Sequence, residues 1–305
     1  MRADAVVAQR APVAMSRHAA FLALLIGTLA WFWGPLSTVV ALSLQYGDYE
    51  HYSHIVTIPF ISLFLIYLDR HVIFAKVEAR PRLGALVMAV AIAMAWLPRL
   101  LRFDEETAWS LAIFSMVTTC LGAFVLCYGT DAFRKASFGL LLMVFMVPLP
   151  PFILHAVIGF LQRASAEASA VLFELLGVSV FRQDFVFALP GLTIKIAEEC
   201  SGIRSTLALF IVGLVAGHLY LRSTWARAVL ALTVVPLAIV KNGIRIVVLS
   251  LLGIYVDPGF VGGSVLHRYS GLPVFALAFA ILGALIWLLQ RSEARLWRRM
   301  AGAAG

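Results

Sequence analysis

Repeated runs of about 20 apolar residues, the first beginning near Phe21 and the last ending near Leu289, constrain this chain more than any other feature. A helix needs roughly that many apolar residues to cross a hydrocarbon layer about 30 Å thick. Lipid supplies no hydrogen-bond partners, so a segment that enters it must satisfy its backbone internally, as a helix does. Only 13% of the residues are charged and 62% are hydrophobic, whereas an ordinary soluble domain is roughly 25% charged. The pattern predicts an all-α polytopic membrane protein of about eight transmembrane helices, near 19–44, 55–69, 83–98, 108–128, 136–160, 201–221, 228–256 and 271–290. A tail of residues 1–18 precedes the membrane domain, 19–290, and a basic tail, 291–305, follows it.

The formal charge of +8 is not a nucleic-acid signature, because the basic residues sit in the short connections between apolar runs. The N-terminal segment, 69–82, 131–135, 222–227 and the tail from Arg291 hold most of the 24 Lys and Arg but few of the 16 acidic residues. Assigning those five segments to the cytoplasm obeys the positive-inside rule and places both termini inside. The run from Ala19 to Leu44 exceeds the 7–15 residues of a signal-peptide core, so it is expected to remain as the first span.

The stretch from Ala136 to Glu199 is ambiguous. Leu149-Pro150-Pro151 interrupts it, and Phe152–Leu176 is either a further crossing or a helix at the outer boundary. Gln162, Arg163, Ser165, Glu167 and Ser169 make that helix too polar to face lipid all round. Beyond it, apolar and polar residues alternate on both sides of Pro190-Gly191, which predicts a short β-hairpin over 184–197. A hairpin's open edges cannot face lipid, so it belongs on the extracytoplasmic side.

Of the three cysteines, Cys120 and Cys127 lie inside an apolar run and are expected to be packing residues. None has metal-ligand or disulfide spacing, and no cofactor or metal is expected. Cys200 lies 22 residues before Arg222, about 33 Å of helix. Arg245 lies 18 residues after Arg227, about 27 Å. His267 lies 24 residues before Arg291, about 36 Å. All three are therefore expected at one depth, the outer boundary. Singly, Cys200 reads more readily as a packing residue at a helix entry and His267 as an interfacial side chain, but an arginine inside an apolar helix is costly and usually marks function or a buried partner. Together they suffice for acyl transfer: a thiol nucleophile, an imidazole that moves the proton, and a guanidinium for the oxyanion.

Leu189-Pro190-Gly191, Glu198-Glu199-Cys200-Ser201-Gly202-Ile203-Arg204-Ser205, Asn242-Gly243-Ile244-Arg245-Ile246 and Leu266-His267-Arg268-Tyr269-Ser270-Gly271 resemble the motifs of the exosortase/archaeosortase family in order and separation. The resemblance covers roughly 45–290 and includes a weaker N-terminal motif, His51-Tyr52-Ser53-His54 to Ile58-Pro59-Phe60. It implies a sortase-like membrane cysteine protease or transpeptidase of the cell inner membrane, with Cys200 as nucleophile, Arg245 as oxyanion or carboxylate partner and His267 as proton carrier. Ser201, Gly202, Arg204 and Asn242 would support them. It also implies the partners: exported proteins with a C-terminal sorting signal of short motif, apolar helix and basic tail, PEP-CTERM-like in bacteria, linked to surface or exopolysaccharide systems. Glu198-Glu199 would oppose thiolate formation unless Arg204, Arg245 or Lys195 offsets them.

The rival reading from another class is a polytopic transporter or a non-catalytic assembly factor for an exported polymer, with Lys241, Arg245 and Glu174 lining a path. Inverted repeats would support it, and the sequence has no such symmetry. A reporter fused after Ser179 is expected to report an extracytoplasmic location; a cytoplasmic signal would place the site on the opposite face and refute the assigned topology.

Overall fold

The computed structural model describes residues 11–44, 52–197, 201–260 and 271–303. The chain divides into two compact units, Met1–Ile153 and Leu154–Gly305. Six described helices are long and apolar enough to cross a membrane, or seven if a bent pair counts as one span, and a shorter apolar helix adds to them. The predicted helical membrane protein with a small sheet is therefore what forms.

In the first unit, α1 (Ala11–Trp31) and α2 (Trp33–Leu44) occupy the predicted first span, but they meet at 75° rather than forming one helix. Pro35 explains the break. It has no N–H to donate to the carbonyl of Trp31, and its ring collides with that carbonyl in a continuous helix. Then follow α3 (Ile58–Leu68), the single turn α4 (Arg70–Ile73), α5 (Pro81–Met94), the short α6 (Leu97–Leu101) and α7 (Glu105–Leu142). Asp104 caps α7, accepting from the Thr107 N–H at 2.9 Å and the Thr107 hydroxyl at 2.7 Å. Those bonds hold its carboxyl below the ordinary range.

The 38 residues of α7 are two helices joined at Gly129, whose φ is 81°. The sequence reading places a loop at 131–135; the chain instead turns at this one glycine and resumes helix at once. The first half runs antiparallel to α5, with Gly84 against Leu126, and a Cβ on Gly122 would lie 2.8 Å from Met88. Without a hydrophobic drive between helices in lipid, such small residues permit the close packing that holds them together. The second half packs on α3, where Gly139 approaches the Ser62 carbonyl. An aromatic cluster of Phe21, Phe74, Phe124 and Tyr128 closes one end, with His18 Nδ1 2.7 Å from the Tyr128 hydroxyl. There Arg17 donates to the Val77 carbonyl at 3.0 Å and Lys135 to that of Val72 at 3.1 Å. Three basic segments thus gather at the same end of this unit.

The expected span 136–160 does not exist as such. A 3-10 turn, Met143–Met146, ends the α7 region, and α8 (Pro151–Leu175) starts afresh. The cause is Pro150-Pro151, since the second proline suits a helix's first position but not its interior.

The second unit contains most of α8, the strands β1 (Phe181–Gln183), β2 (Val186–Leu189) and β3 (Leu192–Lys195), and the helices α9 (Ile203–Tyr220), α10 (Thr224–Tyr255) and α11 (Gly271–Ala303). The sheet is antiparallel in the order β1-β2-β3. The predicted hairpin is its β2–β3 part, in register Leu189↔Leu192 and Phe187↔Ile194. Gly191, with φ of 78°, supplies the left-handed position of the turn after Pro190. The inner face places Phe187, Leu189, Ile194 and Ile196 against Ala166 and Phe173 of α8 and Ile246 and Val247 of α10.

Helices α9, α10 and α11 bury a second core around Leu209, Leu230, Val234, Ala238, Ala278 and Leu282. Glycines again set the spacing: a Cβ on Gly213 would stand 3.0 Å from Val234, and one on Gly217 3.2 Å from Leu230. At one end, the Glu293 carboxylate accepts from the backbone N–H of Arg222 at 3.2 Å and of Ser223 at 2.7 Å, and from the Ser223 hydroxyl.

Gly129→Ala is expected to destabilise the first unit by about 2 kcal/mol or more, from the left-handed φ and a methyl driven into the Glu78 carbonyl. The thermal unfolding midpoint of the detergent-solubilised protein measures it, and an unchanged midpoint contradicts the packing described here.

Candidate active site

α10 spans 32 residues, about 48 Å, against a hydrocarbon layer of about 30 Å. Its end near Thr224 lies beside the Arg222 and Ser223 turn, and about 32 Å further along the axis comes Arg245. From Ile246 onward the helix packs on the sheet. Sheet edges cannot face lipid, and Asn242 and Arg245 lie on α10 immediately before that contact.

At that level the start of α9 meets α10. Gly202, with φ of 75°, precedes α9 in a conformation that disfavours other residues. Its carbonyl accepts from the Ser205 hydroxyl at 3.0 Å, the Thr206 hydroxyl at 2.9 Å and the Thr206 N–H at 2.9 Å. A Cβ on Gly202 would lie 2.8 Å from Asn242 Oδ1, so only glycine lets the two segments touch this closely. Asn242 is 1% exposed and donates to the Ser165 hydroxyl of α8 at 3.0 Å. Its neighbour Gly243 brings α8 closer still, with Ala168 Cβ 3.0 Å from where a side chain would begin.

Arg245 is half-buried, with Nε 3.8 Å from the position a Cβ would take on Gly271, the first residue of α11. Ser201 is buried, and its hydroxyl finds no hydrogen-bond partner among the described residues. Arg204 is exposed. Cys200 and His267, the expected nucleophile and proton carrier, lie outside the described residues. What the structure brings together is therefore the Asn242–Arg245 segment with Gly202, two residues after Cys200, and with Gly271, four residues after His267.

Two polar groups join this region that the sequence reading did not place there. Gln162 of α8 donates to the Ile196 carbonyl at 2.7 Å, pinning the chain that leads from β3 toward Cys200. Lys241 donates to the Ser205 hydroxyl. Of the polar residues that made α8 unsuited to lipid all round, Gln162 and Ser165 make these buried contacts and Glu167 pairs with Arg182 at 2.8 Å. Cys120 and Cys127 are buried in α7. No group of three or more metal-ligating side chains occurs among the described residues.

Long apolar helices packed through glycines, and a small sheet that lipid could not accommodate, define a multi-pass membrane protein. The profile of the transmembrane exosortase family matches residues 46–284, and the chain belongs to that family. No curated protein and no solved structure matches the chain.

Asn242→Ala is expected to cost about 1–3 kcal/mol of stability, because it removes a buried hydrogen bond and the contact that seats Gly202. Thermal unfolding in detergent checks this, and a midpoint equal to that of the unaltered protein contradicts it.

Proposed function

We propose that this exosortase is a membrane cysteine protease or transpeptidase that cuts exported proteins at a C-terminal sorting signal on the extracytoplasmic face of the inner membrane. The observation that supports this reading best is the packing of the Asn242–Arg245 segment against Gly202 on one side and Gly271 on the other, so that the three motif segments meet through their described ends.

In the proposed reaction the Cys200 thiolate attacks the carbonyl carbon of the scissile peptide, and the electron pair moves onto the carbonyl oxygen. Arg245 donates hydrogen bonds to that oxyanion, which an always-charged planar guanidinium does in two-point geometry. Collapse of the intermediate breaks the C–N bond, and His267 gives the departing amine its proton. The thioester left on Cys200 is resolved by water, giving hydrolysis, or by an acceptor amine, giving transpeptidation. A site at the hydrocarbon boundary suits a substrate whose recognition motif abuts an apolar helix. The helix stays in lipid, and diffusion in the plane of the membrane delivers the motif.

The test uses an exported reporter with a PEP-CTERM-like motif, apolar helix and basic tail, followed by its change in gel mobility. Cys200→Ala is expected to abolish processing, while Cys120→Ala and Cys127→Ala leave it intact. Arg245→Lys is expected to slow processing by about 100- to 1,000-fold at an unchanged protein level in the membrane. Normal processing by Cys200→Ala sinks the proposal, and loss of the protein itself in Arg245→Lys assigns that arginine a structural role.

A further inference from the structure

Lys241 is 5% exposed, inside an apolar helix. An ionisable side chain in that setting is costly and calls for a named partner. Its ammonium donates to the Ser205 hydroxyl on α9 and lies 6.0 Å from the ring centroid of Phe275 on α11. Among the described residues no carboxylate pairs with it; the ion pair found there is Arg182–Glu167. The neutral partner is informative because of what it holds. The Ser205 hydroxyl in turn donates a hydrogen bond to the Gly202 carbonyl at 3.0 Å, and Asn242, adjacent to Lys241, packs against Gly202.

Two consecutive residues of α10 therefore grip the turn 202–205, and Cys200 precedes that turn by two residues. Ser201, Gly202 and Ile203 are buried while Arg204 is exposed, so the part of the turn nearest Cys200 in sequence is held inside the protein. A hydrogen bond from a charged donor is roughly twice as strong as a neutral one. Holding this turn is work that an apolar side chain at position 241 could not do.

We propose that Lys241 is a positioning residue for the nucleophile: acting through Ser205, it fixes the turn after Cys200 and thereby the place of the thiol. The proposal rests on Cys200 being the nucleophile. Lys241 also reaches α11 through Phe275, and so links the helices that follow the Cys200 and His267 segments. Its effect falls on the geometry of the reacting groups and not on the affinity for substrate.

The experiment uses the full-length membrane protein with Cys120→Ala and Cys127→Ala, which leaves Cys200 as the sole thiol, and N-ethylmaleimide as the probe. Lys241→Met and Ser205→Ala are each expected to speed alkylation by about threefold or more, because the buried turn opens locally. The double variant should match either single one, as two residues acting through one bond are not additive. With the exported reporter as substrate, kcat should fall about tenfold or more with KM little changed, and Lys241→Arg should recover part of it. Unchanged alkylation in Ser205→Ala, additive effects in the double variant, or a rise in KM in place of a fall in kcat would overturn the proposal. If Lys241→Met is not recovered in the membrane, Ser205→Ala carries the test, since it removes one oxygen atom. Alkylation needs no substrate, so an unaltered protein that fails to process the reporter would count against the enzymatic reading and not against this positioning role.

Discussion

Hydrocarbon offers the backbone no hydrogen bonds, and the architecture follows from that refusal. Segments that cross must be helices, and a three-stranded sheet with two open edges must lie elsewhere. The second unit reconciles the two by letting α10 run past the hydrocarbon, so that Ile246 and Val247 serve the sheet while Leu230 and Val234 serve the helix bundle. Arg245 falls at the changeover. Its side chain is half-buried there, with Nε against Gly271 at the start of α11.

Much of this was legible in the sequence because the signals were local. Apolar runs of membrane length announced the helices, and alternation around Pro190-Gly191 announced β2 and β3. Strand β1 was not legible: three residues, Phe181, Arg182 and Gln183, are too few to show a period. The 75° bend between α1 and α2 and the restart at Pro151 were both written in prolines, yet apolar content alone bridged Pro35 and carried a span through Pro150-Pro151. Gly129 hid its turn because a single left-handed residue leaves the hydropathy profile unbroken.

The candidate site divides in the same way. Asn242, Gly202 and Arg245 were readable as motif residues, whereas the shared depth that spacing suggested concerned Cys200, Arg245 and His267, of which the first and last lie outside the described residues. Lys241 with Ser205 and Gln162 with the Ile196 carbonyl were not readable. These partners are 36 and 34 residues apart, and their meeting depends on how closely helices approach. That distance is set by glycines such as Gly213, Gly217 and Gly243, which in a sequence resemble any other small residues.

Glu293 shows what such distant pairing means for biogenesis. Its carboxylate satisfies two backbone N–H groups at the turn between α9 and α10, 71 and 70 residues upstream. Those donors are synthesised 71 and 70 residues before their acceptor, so over that interval the turn has no Glu293 to pair with. The turn is thus completed by a segment made some 70 residues later, and a chain terminated before Glu293 keeps that turn open. The cell's quality-control proteases would meet an open turn that α11 otherwise closes.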